Sequence, residues 1–274
     1  MTRNKLQSLI TLLDDPDENI AVSVMAELLK YEGDLMPLLC EFQEADNQLL
    51  RKRIQQLETI ILLRNRRRDF LKKIAGEEID IIEGLIELHL LYFDRDTPQL
   101  LLEMLQMFML TAGNNNIKNI AELGNFMARN NFALPPEDEL LEPENYCIGP
   151  ILEDRLGADI MLCTLALLAG IDAGLQLGLV RVAGRFAVIN QAGEMISPEN
   201  DWQIDRVNKL QTGDFWNDPK AVLKYASLML FLHAVSSDNF RYVYTIAQSL
   251  CCGDEDFCTD FLPYPYNGKA PDIK

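Results

Sequence analysis

Cysteine and histidine are the side chains of this chain that a thiol enzyme would use. Cys163 lies in "LGADIMLCTL", residues 156–165, near the start of an apolar stretch. A helix N-terminus lowers the pKa of a thiol, so a cysteine at such a position is a candidate nucleophile. The chain has two histidines, His89 and His233, and each lies within an apolar helical pattern. A lone histidine on such a face is typical of a hydrogen-bonded core residue rather than of a catalytic base.

The six cysteines do not follow a metal-binding pattern. The cluster "CCGDEDFC" holds Cys251, Cys252 and Cys258, but it lacks a second ligand pair at zinc spacing and has no nearby histidine. No phosphate-binding loop, paired metal motif or nucleophile elbow occurs. We therefore expect no cofactor and no metal. Free cysteines, and an N-terminal stretch without the apolar core of a secretory signal, predict a cytoplasmic protein.

The charge of the chain is strongly negative. Its net value is −17, from 42 acidic against 25 basic residues. Such a field repels phosphate backbones and anionic membrane surfaces, so we expect neither nucleic acid nor a membrane as a partner. One region is basic nonetheless, and it contains Arg51, Lys52, Arg53, Arg64, Arg66, Arg67, Arg68, Lys72 and Lys73. This cluster is either the solvated face of a helix, the interpretation we favour, or a docking patch for an acidic partner.

The first part of the chain is predicted to be helical. Leu6 and Ile10 lie on one apolar stripe, and "DDPDEN" follows as a turn that can cap the next helix. The turn "EADN" then precedes a further helix, "QLLRKRIQQLETIILL". Helix, connector and helix in this order resemble two HEAT-like units over residues 6–63.

One apolar span has nearly the length of a membrane helix. Residues 160–182 contain Asp172, Gln176 and Arg181 as their strongly polar side chains, and about 20 apolar residues cross a bilayer. Three glycines interrupt the span, and its second half is rich in valine and leucine. We therefore predict a buried helix, a turn and a buried strand.

Three short strands and a helix pair are predicted for the remainder. "LQLGLVRV", "RFAVIN" and "EMIS" are separated by turns at Ala183-Gly184 and "QAG", which is typical of an antiparallel meander. A capped helix pair follows in "PKAVLKYASLMLFLHAV" and "FRYVYTIAQSL". The predicted fold is mostly α with a small antiparallel sheet, an α+β class. Its predicted segments are 1–66, the HEAT-like helices; 67–140, further helices; 141–217, the core with the meander; and 218–274, the helix pair with an extended tail.

The stretch "ENYCIGPILEDRLGADIMLCTLALLAGIDAGLQLGLVRVAGRFAVI" contains a characteristic order of features. An Asn-Tyr start leads into a first helix, a glycine, a long apolar helix and a hairpin, and "ISPE" ends the next strand. In this order it resembles the papain-like core of transglutaminase-like proteins, and more closely the bacterial SirB family. In that family a helical region precedes the core and a helical hairpin follows it. The resemblance runs from Asn145 through the predicted C-terminal helix pair.

The resemblance implies a fold that has lost its active site. Active transglutaminase-like enzymes use a Cys at the start of the long helix, a His on the next strand and an Asp on the following one. Asp159, Arg185 and Ser197 occupy these three positions here. Arginine does not deprotonate in proteins and cannot replace the base. Cys163 lies one turn further along the helix, where we expect a raised pKa and a place in the core.

Asp159 and Arg185 keep the charge signs of the thiolate and imidazolium that they replace. We therefore hypothesise a salt bridge between them that holds the long helix against the hairpin. Two unrelated solvated charges are the alternative.

These substitutions predict a non-catalytic protein that serves as a protein-interaction or regulatory scaffold, with another protein as its partner. No feature of the sequence specifies an oligomeric state. The alternative is a cysteine-dependent hydrolase or acyltransferase of the transglutaminase-like superfamily. The candidate interaction surface comprises Arg51, Arg53, Arg64, Arg67, Arg68, Trp202 and Trp216.

Overall fold

The protein is mostly α-helical with one small antiparallel sheet, as the sequence predicts. The computed structural model describes residues 2–31, 33–76, 79–140, 142–207, 211–237, 239, 242–243 and 246. The chain divides into two compact units, Met1–Arg68 and Asp69–Lys274. The sheet and the three positions compared with a catalytic triad all belong to the second unit.

The helices of the first unit surround a core rich in leucine and isoleucine. Asp17 caps the second of them by accepting a hydrogen bond from the N–H of Asn19, as the "DDPDEN" turn predicts. Ile10, Leu28 and Ile54 are fully buried in this core. The helices are α1 (Arg3–Thr11), α2 (Glu18–Leu29), α3 (Met36–Cys40) and α4 (Gln48–Ala75), and the division between the units falls within α4.

Four helices of the second unit begin at capping side chains. Asp80, Thr97, Asn119 and Asp218 each accept a hydrogen bond from a backbone N–H of the following first turn. Local sequence therefore sets where these four helices start. In the described ranges the helices of the second unit are α5 (Ile81–Tyr92), α6 (Pro98–Asn114), α7 (Ile120–Arg129), α8 (Ile148–Asp154), α9 (Asp159–Asp172) and α10 (Pro219–Ser236), and α8 and α9 begin without a side-chain cap.

The sheet contains the predicted meander and a short additional strand. Its strands are β1 (Leu177–Val182), β2 (Arg185–Asn190), β3 (Glu194–Ile196) and β4 (Asp205–Arg206), antiparallel and in chain order. Ala183 and Gly184 have φ angles of 51° and 86°. Positive φ angles at both central residues are what a two-residue hairpin loop with a type I′ turn requires. This turn sets the register that places Arg181 opposite Phe186.

The long apolar span forms a buried helix, a turn and a strand, which confirms the prediction. Every residue of α9 from Ile160 to Ala166 is buried, and the helix packs against β1, β2, α6 and α7. Gly174, with a φ of 84°, lies in the turn that leads to β1. Among the described residues, no helix has the length and apolar character needed to cross a membrane.

One hydrophobic core joins the three segments that were predicted to follow residue 66. Phe70, Leu105, Val188 and Leu223 come from these segments, and all are buried within this core. The core into which α9 packs is therefore built from residues of all three of these segments.

The last predicted elements lie largely outside the described residues. The first helix of the predicted C-terminal pair is α10, whereas Tyr242, Val243 and Ile246 are described from "FRYVYTIAQSL". Val243 and Ile246 are buried in the core of the second unit. The "CCGDEDFC" cluster and the extended tail lie outside the described residues.

Candidate functional site

The three positions compared with a catalytic triad lie around the start of β2. Asp159 is the first residue of α9, Arg185 is the first residue of β2, and Ser197 directly follows β3. The Asp159 carboxylate accepts a hydrogen bond from the N–H of Phe186. Arg185 forms an ion pair with Glu199, two residues beyond Ser197. The fold therefore brings these three segments together.

Backbone hydrogen bonds to earlier segments hold the start of α9. The N–H of Ala158 donates to the C=O of Asn145 at 2.9 Å, and the N–H of Gly157 donates to the C=O of Ala133 at 3.3 Å. Asn145 is itself buried, and its side-chain amide donates to the C=O of Glu139 at 2.6 Å. These bonds place Asp159 next to the sheet.

The carboxylate of Asp159 links α9 to β2. Its Oδ2 accepts a hydrogen bond from the N–H of Phe186 at 2.9 Å, and its Oδ1 lies 2.8 Å from the N–H of Ile160. A hydrogen bond to an ionised acceptor is stronger than one between neutral groups, and a negative charge is favoured at a helix N-terminus. Asp159 thus stabilises the contact between helix and hairpin.

The predicted salt bridge between Asp159 and Arg185 is wrong. Both side chains are described, and the ion pair of Arg185 is made with Glu199. The side chains of Arg185 and Glu199 are 62% and 38% exposed, and a pair at such positions contributes about 0–1 kcal/mol. The helix is held against the hairpin by a backbone N–H instead, and the pattern of charges along a sequence does not reveal such a partner.

Cys163 lies one turn beyond Asp159 and is part of the core, which confirms the prediction. It is 0% exposed, and its thiol donates to the C=O of Phe186, with 3.4 Å between Sγ and oxygen. Burial raises the pKa of the Cys163 thiol well above its ordinary value, and the charge of Asp159 raises it further. A buried, protonated thiol is not a nucleophile. Asp159 and Cys163 thus bind the N–H and the C=O of one residue of β2.

Both histidines of the chain are described, and neither is hydrogen-bonded to Cys40, Cys147 or Cys163, the three cysteines within the described ranges. His89 is fully buried, with Nε2 2.8 Å from Oδ2 of Asp96, and its Nδ1 accepts a hydrogen bond from the N–H of Gly149 at 3.3 Å. The Nδ1 of His233 lies 3.8 Å from the carboxylate of Glu142. The prediction that His89 is a hydrogen-bonded core residue is confirmed.

The pKa of His89 predicts a pH dependence of the stability of the second unit. Burial lowers this pKa below its ordinary value of 6.5, against the opposing influence of Asp96. The folded chain then binds a proton less readily than the unfolded chain. Neutral His89 therefore makes its full contribution to the free energy of unfolding above about pH 6.5. This contribution is lost as the pH falls below about 6.5 and through the lowered pKa of the folded state.

His89→Gln removes this titrating group and measures its contribution. We expect the stability of the wild type relative to this variant to decrease between about pH 8 and pH 5. Urea unfolding followed by tryptophan fluorescence gives both free energies. A difference that stays constant over this range would contradict the assignment of a neutral, buried His89.

An arginine surrounded by three aromatic rings lies near Asp159, and it was not predicted. The guanidinium carbon of Arg181 is 5.3, 5.7 and 5.4 Å from the ring centroids of Phe186, Trp216 and Tyr225. A cation at this distance is attracted by the negative face of a ring. Burial raises the pKa of Tyr225, while the charge of Arg181 lowers it and that of Asp159 raises it. The signal in the sequence was the two-residue hairpin turn, whose register pairs Arg181 with Phe186.

Two residues of the predicted interaction surface are buried, so that prediction is wrong for them. Arg53 is 4% exposed and donates to the C=O of Leu13 at 2.9 Å and to the C=O of Asp15. Trp202 is 4% exposed, and its Nε1 donates to the C=O of Phe132 at 2.6 Å. Both side chains bind distant backbone oxygens and are thereby removed from the surface.

The other residues of that surface differ in exposure. Trp216 is half-buried and packs in the aromatic cluster around Arg181. Arg64 is also half-buried, whereas Arg51 and Arg68 are exposed. The side chain of Arg67 lies outside the described part of the structure. Only two of the predicted residues are thus exposed in the part of the chain that the structure describes.

A cavity of about 580 Å³ lies at the far end of α9 from Asp159. Its lining includes Ile171, Ile189 and Asn217, and none of the three positions compared with a triad contributes to it. Since an α-helix rises 1.5 Å per residue, Ile171 is about 18 Å from Asp159 along the helix axis. No three His, Cys, Asp or Glu side chains within the described ranges lie close enough together to hold a metal ion.

No family model, curated protein or solved structure matches this chain. The transglutaminase-like and HEAT-like resemblances therefore stay predictions from the sequence. The bonds of Asp159 and Cys163 are the observations on which a functional proposal can rest.

Proposed function

We propose that this chain is a non-catalytic transglutaminase-like protein, similar to the SirB family, that acts as a cytoplasmic protein-interaction or regulatory scaffold. The observation that carries the proposal is the state of the two side chains on α9. A carboxylate occupies the nucleophile position and is bonded to the N–H of Phe186, and the nearby thiol of Cys163 is buried and bonded to the same residue.

Acyl transfer of the transglutaminase type needs a thiolate, a base within hydrogen-bond reach and access for the substrate. Cys163 is 0% exposed and has a raised pKa, so it lacks both ionisation and access. Arg185 at the base position is permanently charged and cannot accept a proton. The cysteine-dependent alternative therefore finds no support in these side chains.

Exposed apolar side chains on α6 support a binding role. Leu100, Met107 and Leu110 are 47%, 62% and 60% exposed in the described structure. Flexible methionine and leucine side chains grouped on one surface are typical of protein contacts. Cys40, Cys147 and Cys163 are free thiols, which supports a reducing compartment such as the cytoplasm.

Alkylation of the native protein by iodoacetamide tests the non-catalytic assignment, with the modified cysteines identified by peptide mass spectrometry. Cys40 is exposed and serves as the internal control, whereas Cys147 and Cys163 are buried. We expect Cys40 to be labelled promptly near neutral pH. Cys163 should react only at the rate of unfolding, because its thiol is both protonated and inaccessible.

Two results would overturn the assignment. One is labelling of Cys163 in the native protein as fast as that of Cys40. The other is turnover of an amide or ester substrate that is abolished by Cys163→Ala. Concentrated urea should make all three thiols react alike, and this control establishes that folding is the source of protection.

A further inference from the structure

Helix α4 is basic within a chain that is acidic as a whole. Besides the buried Arg53, its part in the first unit, residues 48–68, carries six Lys and Arg residues against one acidic residue, Glu58, whereas the net charge of the chain is −17. A local field whose sign differs from the rest of the surface attracts an oppositely charged partner and orients it. The part of α4 in the first unit therefore has the electrostatic character of a docking surface for an acidic group.

A cavity of about 370 Å³ in the first unit lies beside two of these arginines. Arg64, Asn65 and Arg68 of α4 line one part of it, and the segment from Gly33 to Met36 lines another. Ligand pockets in proteins have volumes of roughly 300–1,000 Å³, so this cavity can hold a side chain of a partner.

Hydrogen bonds within the first unit position both guanidinium groups. Nη1 of Arg64 donates to the C=O of Leu29 at 2.5 Å, and Nη2 of Arg68 donates to Oδ1 of Asn65 at 3.2 Å. A guanidinium has five N–H donors in a planar fork, and each of these bonds uses one of them. Such a fork suits a carboxylate, which can accept two parallel hydrogen bonds.

Apolar side chains and a single acidic residue complete the lining. Leu35 and Ile61 are 2% and 4% exposed and offer apolar contacts to the methylene groups of a glutamate. Asp34 is the acidic lining residue, and its Oδ1 already accepts a hydrogen bond from the N–H of Met36 at 2.9 Å. The charge balance of the lining therefore favours an anion.

We propose that this cavity, with Arg64, Asn65 and Arg68 on one side, binds a glutamate side chain from an acidic peptide segment of a partner protein. A short peptide is favoured over a nucleic acid because the net charge of −17 repels an extended phosphate backbone. The inference specifies the kind of partner for the interaction role proposed above, and it rests on that role.

Fluorescence anisotropy with a fluorescein-labelled, C-terminally amidated hexaglutamate peptide tests the site in the full chain. Arg68→Glu reverses the charge of an exposed lining residue. Arg51→Glu makes the same change at an exposed position of the same helix that does not line the cavity. At about 0.15 M salt, we expect Arg68→Glu to raise Kd at least about tenfold and Arg51→Glu to raise it less than about threefold.

Equal losses in the two charge-reversed variants would overturn the proposal, since they would indicate diffuse attraction to the helix. Absence of binding to the wild type would also overturn it. Hexathymidylate that displaces the labelled peptide at lower concentration than unlabelled hexaglutamate would assign the site to nucleic acid instead.

Circular dichroism shows which variants are folded. If Arg68→Glu does not fold, the Kd of Arg68→Gln is compared with that of Arg51→Glu instead. None of these outcomes affects the labelling of Cys163. A failure of this inference is therefore distinguishable from a failure of the non-catalytic assignment.

Discussion

Replacing Gly124 by alanine is expected to destabilise the second unit by about 2 kcal/mol, although alanine is the better helix former. Gly124 lies within α7, where an added Cβ atom would come within 2.3 Å of the backbone oxygen of Trp202 and 3.3 Å of Ile196 Cγ2. The backbone of Trp202 is held by the bond of its N–H to the C=O of Ser197 and by its indole bond to Phe132. It cannot move away without breaking these bonds.

Gly113→Ala is the matched control for this effect. Gly113 lies in α6, and an added Cβ atom there would meet no heavy atom within 4 Å beyond its chain neighbours and the backbone of its own helix. We expect this substitution to stabilise the second unit by about 0.5 kcal/mol through helix propensity alone. Urea unfolding followed by tryptophan fluorescence measures both variants, because Trp202 and Trp216 both belong to the second unit. A Gly124→Ala protein at least as stable as the wild type would contradict the packing of α7 against Trp202.

Asp159→Ala is expected to lower the free energy of unfolding of the second unit by about 2–3 kcal/mol. The substitution removes the acceptor of the Phe186 N–H, and an unsatisfied buried donor costs about 1–3 kcal/mol. It also removes a negative charge from the N-terminus of α9, which costs about 0.5 kcal/mol. Asp159→Asn keeps an oxygen that can accept the bond, so we expect a smaller loss of about 1 kcal/mol.

A double-mutant cycle with Arg185→Ala separates this bond from the salt bridge that the sequence suggested. Arg185 is paired with Glu199 and not with Asp159, so the effects of Asp159→Ala and Arg185→Ala should add within about 0.5 kcal/mol. A coupling free energy above about 1 kcal/mol would contradict the observed geometry and support the salt bridge. The same urea unfolding experiment supplies all four free energies.

Local signals in the sequence account for most of the secondary structure. Thr97 and the following proline begin α6, the "DDPDEN" turn begins α2, and Ala183 and Gly184 close the first hairpin. In each case the bond or backbone angle that decides the structure involves residues only a few positions apart. Such features depend little on the remainder of the fold and can be predicted before it is known.

The sequence predicted which residues lie at the candidate site but not which hydrogen bonds they form. The place of Cys163 in an apolar helix predicted a buried thiol, and burial is observed. The acceptor role of Asp159 was not predictable, because its partner is a backbone N–H 27 residues further along the chain. Every residue except proline carries such a group, so the sequence does not distinguish one from another.

The α+β class, the turn of the first hairpin and the lack of a histidine in the predicted strands could all be inferred from the amino-acid sequence alone. The burial of Arg53 and Trp202, and the exposure of Arg68 beside a cavity, depend on how distant segments pack and could not be inferred in that way. A guanidinium or an indole N–H can leave water without a large cost only where another group accepts its hydrogen bonds. For Arg53 and Trp202 those groups are carbonyl oxygens up to 40 and 70 residues away.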